Sequence, residues 1–240
     1  MSVPPEAEEP VETMPIVLSW SGGKDAAWTL HALNRDPRWR VVALLTTVTE
    51  GYERVAMQGI RRDVLLAQTN AAGLPLIEAQ MPQRADNATY ERCFAGALEQ
   101  ARERFPGLRH IAFGDLFLED IRQYRYALCA RLDWTPVYPL FGSDTRQLAR
   151  EMLDGGLKAA LCCVDTTQLD ARFAGRTFDE SLLDELPDNV DPCGENGEFH
   201  TCVHAGPFFD QPLYVEPGEQ VLRDQRFMYA DLTLSTTDNQ

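Results

Sequence analysis

From residue 15 to about residue 133 the chain alternates short apolar runs with longer amphipathic ones, and that alternation limits what it can become. "PIVLSW" at 15–20 has the length of a strand. "DAAWTLHALNRD" follows it and spaces Ala26, Ala27, Leu30 and Leu33 as one side of a helix does. "WRVVALLTTV" predicts a second buried strand, rich in β-branched residues. "RVAMQGIRRDVLLAQTNAAG" predicts a helix that stops at Gly73. "LPLIEAQM" is a third strand, "ATYERCFAGALEQARERFPG" a helix ended by Pro106 and Gly107, "LRHIAFGD" a fourth strand and "EDIRQYRYALCARLD" another helix. Strands alternating with helices imply βαβ units, hence an α/β fold with a doubly wound parallel sheet. Its crossovers are right-handed, and its ligands sit beyond the carboxyl ends of the strands.

Past about residue 136 the texture changes. "TPVYPLFGSDTRQLAREMLDGG" carries prolines and one more helix, and "LKAALCCVD" is a strand. "DESLLDELPDNVDPCGENGEFHTCVHAGPFF" reads mostly as loop, and "QVLRDQRFMYADLTLS" closes with strands. The expected division is an acidic disordered tail at 1–14, a first domain at 15–135 and a smaller α+β domain at 136–240.

"SWSGGKD" ends the first strand, "TTVTEG" the second and "GDLFLED" the fourth. Gly22 and Gly23 at a strand-to-helix turn let backbone N–H groups approach an anion. The helix behind them adds its dipole and its unpaired N–H groups. Ser19 and Ser21 offer hydroxyls and Lys24 a point charge. The turn is not a Walker loop, because Leu18 stands where the first glycine belongs and Asp25 follows the lysine. The G-x-G-x-x-G dinucleotide fingerprint is absent as well. Asp25 repels bare phosphate but can hold Mg²⁺ against a polyphosphate.

A net charge of −15 argues against wrapping a nucleic acid, which needs clustered Lys and Arg. Lys24 and Lys158 are the two lysines of the chain. No apolar run approaches a membrane span, the N-terminus resembles no secretory signal, and the six cysteines contain no CxxC pair. This reads as a cytoplasmic protein with reduced thiols. Cys193, His200, Cys202 and His204 lack the paired spacing of a closed zinc site.

Two more stretches carry chemistry-bearing residues. After the fourth strand, Gly114 and Asp115 can turn the chain and present a carboxylate, with Glu119, Asp120 and Arg122 at the next helix start. "DPCGENGEFHT" at 191–201 gathers a cysteine, two glutamates, an asparagine, a histidine and two glycines.

"SGGKD" after a first strand resembles the PP-loop of ATP pyrophosphatases, whose pattern is Ser-Gly-Gly-x-Asp-Ser. Ser21, Gly22, Gly23 and Asp25 match it, and Ala26 departs from it. "SGGKD", then "GD…ED.R" with "P…PL", then "D.CGE.GEFHT" resemble, in that order, the diphthine–ammonia ligase-like family across roughly residues 16–215. The resemblance implies an adenine nucleotide α-hydrolase-like (HUP) domain and a smaller C-terminal domain, with the active site between them. It implies ATP-dependent amidation by ammonia, with the diphthine of elongation factor 2 as the characterised acceptor and a different small molecule where diphthine is absent.

Motifs and resemblance together predict ATP and Mg²⁺, with the nucleotide over Ser19, Ser21, Gly22, Gly23, Lys24, Asp25, Thr46, Gly114 and Asp115. Lys24, Asp25, Glu195 and Glu198 are the expected catalytic residues, Asp25 also holding the metal through the phosphates. Glu119, Arg122, Cys193, Gly194, Asn196 and His200 are expected at the acceptor, a small-molecule or modified-protein carboxylate. No membrane partner is expected, and a homodimer is left open. Two other functions compete: sulfur transfer to tRNA, which wants catalytic cysteines and a basic surface, and a nucleotide sensor without turnover, which Ala26 favours.

Overall fold

A computed structural model describes residues 13–51, 54–55 and 58–235. The acidic tail expected at 1–14 falls, except for its last two residues, outside the described residues.

The chain forms two sheets. In the first, β1 (Met14–Ser19) lies between β2 (Trp39–Thr49) and β5 (His110–Ala112), parallel to both. β4 (Leu76–Met81) adds in parallel to β2, and β6 (Thr135–Val137) in parallel to β5, so the first sheet runs on to Val137. The helices between them are α1 (Lys24–Arg35), α2 (Arg62–Ala71), α3 (Asn87–Arg104) and α4 (Glu119–Arg131). The alternation of β1 sends Ile16 and Leu18 to one face and Val17 to the other. On the Val17 face, Phe94 and Leu98 of α3 and Leu128 of α4 cover the sheet. On the other face, Leu30 of α1 and Val64 of α2 do so. The sheet is therefore wound on both sides. The chain leaves β1 in one direction and returns in the other, so the crevice at the C-terminal end of β1 is its switch point.

The second sheet is antiparallel, in the order β8 (Phe199–Ala205), β7 (Lys158–Asp165), β10 (Phe227–Leu234), β9 (Val215–Arg223). It packs with α5 (Thr145–Asp154) on the α1 face of the first sheet, where Met152, Leu161, Val164 and Val203 join the same core as Leu18 and Leu30. A short helix, α6 (Glu180–Glu185), flanks it. Arg54 and Arg61 both pair with Asp231 of β10, each at 2.8 Å.

Two stretches depart from the sequence expectation. The helix expected over 54–73 starts only at Arg62. Before it, β3 (Arg54–Val55) turns back antiparallel onto β2, and Gly59 takes φ +69°, a left-handed value that stops a helix. The stretch read as mostly loop contains β8, whose partner is β7, far away in sequence. Loop-forming residues hid this strand because its stability comes from pairing and burial. Among the described residues, no helix is long and apolar enough to cross a membrane.

One core shared by both halves predicts one unfolding event. Leu161→Ala, at a fully buried site, is expected to cost about 2–5 kcal/mol and to lower a single calorimetric transition. Two separate transitions, with one unmoved, would contradict the shared core.

Candidate active site

The turn after β1 is held from behind. Gly22 takes φ +78°, and a Cβ there would meet Gln68 Oε1 at 2.7 Å, so the position suits glycine on both counts. The Gly22 carbonyl accepts from Val203 N of β8 at 2.9 Å and from Gln68 Nε2 at 3.0 Å. Gln68 also donates to the Val203 carbonyl and accepts from Trp20 Nε1. At the start of α1, the Lys24 N–H donates to Thr201 Oγ1 at 3.0 Å. The third motif thus lies against the first.

Lys24 is almost fully buried, at 2% exposure. Its Nζ pairs with Asp25 at 2.8 Å, donates to the Cys193 carbonyl, and lies over the rings of Phe199 and Phe178. Burial pulls its pKa down, but Asp25 and its other acidic neighbours outweigh burial and hold it above the usual lysine value. Burial raises Asp25. Gly114 packs against the same helix start; a Cβ on it would stand 3.0 Å from the Asp25 carbonyl carbon.

Turn, helix start and the 193–201 segment enclose a cavity of about 240 Å³. Ser19, Ser21, Gly23, Lys24, Asp25, Gly114, Asp115, Cys193, Gly194, Glu195 and His200, all singled out in the sequence, come together in its wall. A neighbouring chamber of about 590 Å³ runs along the ends of β1, β2 and β4. Thr46 lines that chamber with a buried Oγ1 that has no hydrogen-bond partner.

The carboxylates divide by role. Glu195 Oε1 accepts from Leu116 N at 2.7 Å, tying the third motif to the loop after β5, and burial pushes its pKa to about 7. Asp115 Oδ2 is buried without a hydrogen-bond partner, 3.2 Å from Arg125 Nε, and burial raises its pKa. Glu198 does not reach the cavity. It accepts from the backbone of Asp191 and Asn196, each at 2.9 Å, and from the Asn196 amide. Asn196 is exposed and turned to Glu198. Glu119 and Arg122 pair with each other at 2.8 Å on α4 and line neither chamber; the half-buried Arg122 packs on the Phe141 ring. Two residues of the expected catalytic and acceptor sets therefore build the loop, and two lie outside it.

Burial drops His200 to about 4, so its imidazole is neutral. Cys193 is a buried thiol pushed above its ordinary range, with Sγ 3.4 Å from the Thr145 carbonyl. Sequence reasoning missed Gln58, Arg125 and Thr201 in the cavity wall, and Gln68 behind the turn. Arg125 stands one turn beyond Arg122, and only the rotation of α4 about its axis tells them apart.

Among the described residues, no three His, Cys, Asp or Glu side chains form a metal cage. Of the three cavity carboxylates, Asp25 and Asp115 suit a cation whose other ligands are phosphate oxygens and water.

Residues 144–231 match the family described as diphthamide synthase C-terminal domain. The chain is 25% identical to the human diphthine–ammonia ligase over 236 residues, covering 84% of this chain and 83% of the human protein. It is 24% identical to the rat diphthine–ammonia ligase with the same coverage. It is also 24% identical to that of Schizosaccharomyces pombe, covering 84% of this chain and 36% of that protein. The chain is thus similar to diphthine–ammonia ligases, the resemblance its three motifs carry.

Glu198→Gln is expected to destabilise the fold by about 1–3 kcal/mol, since a Gln amide cannot accept from all the donors the carboxylate serves. Thermal unfolding reads this; an unchanged melting temperature with lost turnover would return Glu198 to the chemistry.

Proposed function

We propose that the protein is an ATP-dependent, AMP-forming ligase that turns a substrate carboxylate into an amide, with ammonia as the nitrogen donor. The observation that carries this reading is the closure of the Cys193–Thr201 segment on the phosphate turn, which puts Glu195 and the turn in one cavity. The relatives named diphthine–ammonia ligase support the same chemistry. The acceptor is a carboxylate on a small molecule or a modified protein.

The phosphates lie over Ser19 to Asp25, at the positive end of the α1 dipole. Adenosine takes the neighbouring chamber, where Thr46 Oγ1 is free to hydrogen-bond. An acceptor oxygen attacks the α-phosphorus, the bond to the bridging oxygen of the β-phosphate breaks, and pyrophosphate leaves. Ammonia then attacks the acyl carbon of the adenylate, AMP leaves, and one proton is released. Glu195, near pH 7, is placed to take a proton from ammonium or from the attacking nitrogen. Lys24 holds Asp25 and the Cys193 carbonyl together, fixing the turn to the acceptor loop. Mg²⁺ held by Asp25 and Asp115 would neutralise charge on the departing pyrophosphate. The protonated, buried Cys193 disfavours the sulfur-transfer alternative.

The reading is tested with ATP labelled at the α-phosphate, ammonium and a panel of carboxylic acids. Label is expected in AMP; label in ADP overturns it. Glu195 acts deprotonated, so turnover is expected to fall as pH drops through about 7. Glu195→Gln should cut acceptor-dependent pyrophosphate release by about 10²-fold and abolish that acidic limb, with ATP binding nearly unchanged. A Gln variant that keeps the limb would exclude Glu195 as its source.

A further inference from the structure

The two chambers share four lining residues: Ser19, Ser21, Gln58 and Arg125. A nucleotide with its terminal phosphates in one chamber and adenosine in the other passes its α-phosphate along that shared wall. Arg125 is the one cation among the four. Lys24, also in the phosphate chamber, is already bound to Asp25 and the Cys193 carbonyl.

The Arg125 guanidinium is held in place. It lies 4.1 Å over the Phe113 ring, and its Nε is 3.2 Å from Asp115 Oδ2, an oxygen with no hydrogen-bond partner. Its side chain keeps 26% exposure. A planar guanidinium resting on an aromatic face presents its other N–H groups as a fork, the geometry that fits two phosphate oxygens.

We infer that Arg125 binds the α-phosphate and stabilises the charge that builds there as the acceptor attacks. Asp115 aligns the guanidinium before the nucleotide arrives, and Phe113 keeps its plane. The inference rests on the nucleotide reading above and adds the residue at the reacting phosphorus. It needs no knowledge of the acceptor, because AMP carries the α-phosphate.

Calorimetry on the full chain, with Mg²⁺ present, tests it with ATP, AMP and adenosine. Arg125→Met is expected to weaken AMP and ATP by about 10- to 100-fold, the usual order for a lost hydrogen-bonded ion pair, while adenosine changes little. Arg125→Lys is expected to recover only part of the loss, because an ammonium lacks the fork. Equal AMP affinity in wild type and the Met variant overturns the inference. So does a parallel loss of adenosine, which would mark Arg125 as support for the chamber wall. A wild-type protein that binds neither ATP nor AMP overturns the nucleotide reading itself.

Discussion

The site depends on a short set of hydrogen bonds from β8 and the loop before it to the turn after β1 and the start of α1. Val203 N meets the Gly22 carbonyl, Thr201 Oγ1 meets the Lys24 N–H, and the Cys193 carbonyl meets Lys24 Nζ. A turn with a left-handed glycine and a helix start with free N–H groups is an expensive conformation for an isolated segment. β8 satisfies two of those groups, the Gly22 carbonyl and the Lys24 N–H, while Ser21, Gly23 and Asp25 line the cavity. The turn and helix start are therefore completed by residues 169 and 177 positions away, Cys193 and Thr201, in a protein whose two halves share one core.

The same closure sets the electrostatics. Asp25, Asp115 and Glu195 surround one small cavity, and burial raises the pKa of each. Such a site is hostile to a bare polyphosphate. Lys24 offsets part of the negative charge but is fully committed within the wall, so it acts as an internal counter-ion. Among the described residues, Arg125 is the other cation lining the cavity, and a phosphate-bound metal would supply the rest. The arrangement favours a ligand that brings its own cation over a free phosphate.

Strand-length apolar runs and helix stops made the first sheet and its winding legible in the sequence, because buried parallel strands follow hydrophobic pattern closely. The glycine turn after β1 was legible too, since Gly22 takes a left-handed φ that few residues adopt. The hairpin at Arg54–Val55 was not, because it depends on the left-handed Gly59 packed under the Tyr229 ring, a partner from the far end of the chain. β8 was hidden for the same reason. Within the site, residue type and proximity in sequence picked out Glu195 and Asp115 but also Glu119 and Arg122. Which of the four line the cavity depends on where the backbone aims them, and Glu119 and Arg122 do not.

Glu195 and Glu198 show how far that aim can decide a role. They stand three residues apart in one polar turn, with the same side chain. Glu198 is bent inward and receives two backbone N–H groups and an amide, so its charge is consumed in shaping the turn. Glu195 receives one backbone N–H and otherwise faces a cavity with other carboxylates around it, so burial lifts it to about 7. At the start of the same segment, Asp191 accepts from Cys193 N and Glu195 N, and Thr145 of α5 donates to it at 2.6 Å. The loop is thus rigid on its inner side and chemically poised on its outer side. A carboxylate near neutral pH must be partly desolvated yet must not collapse onto a backbone donor. The satisfied glutamate holds the chain in the shape that keeps the other one only partly satisfied.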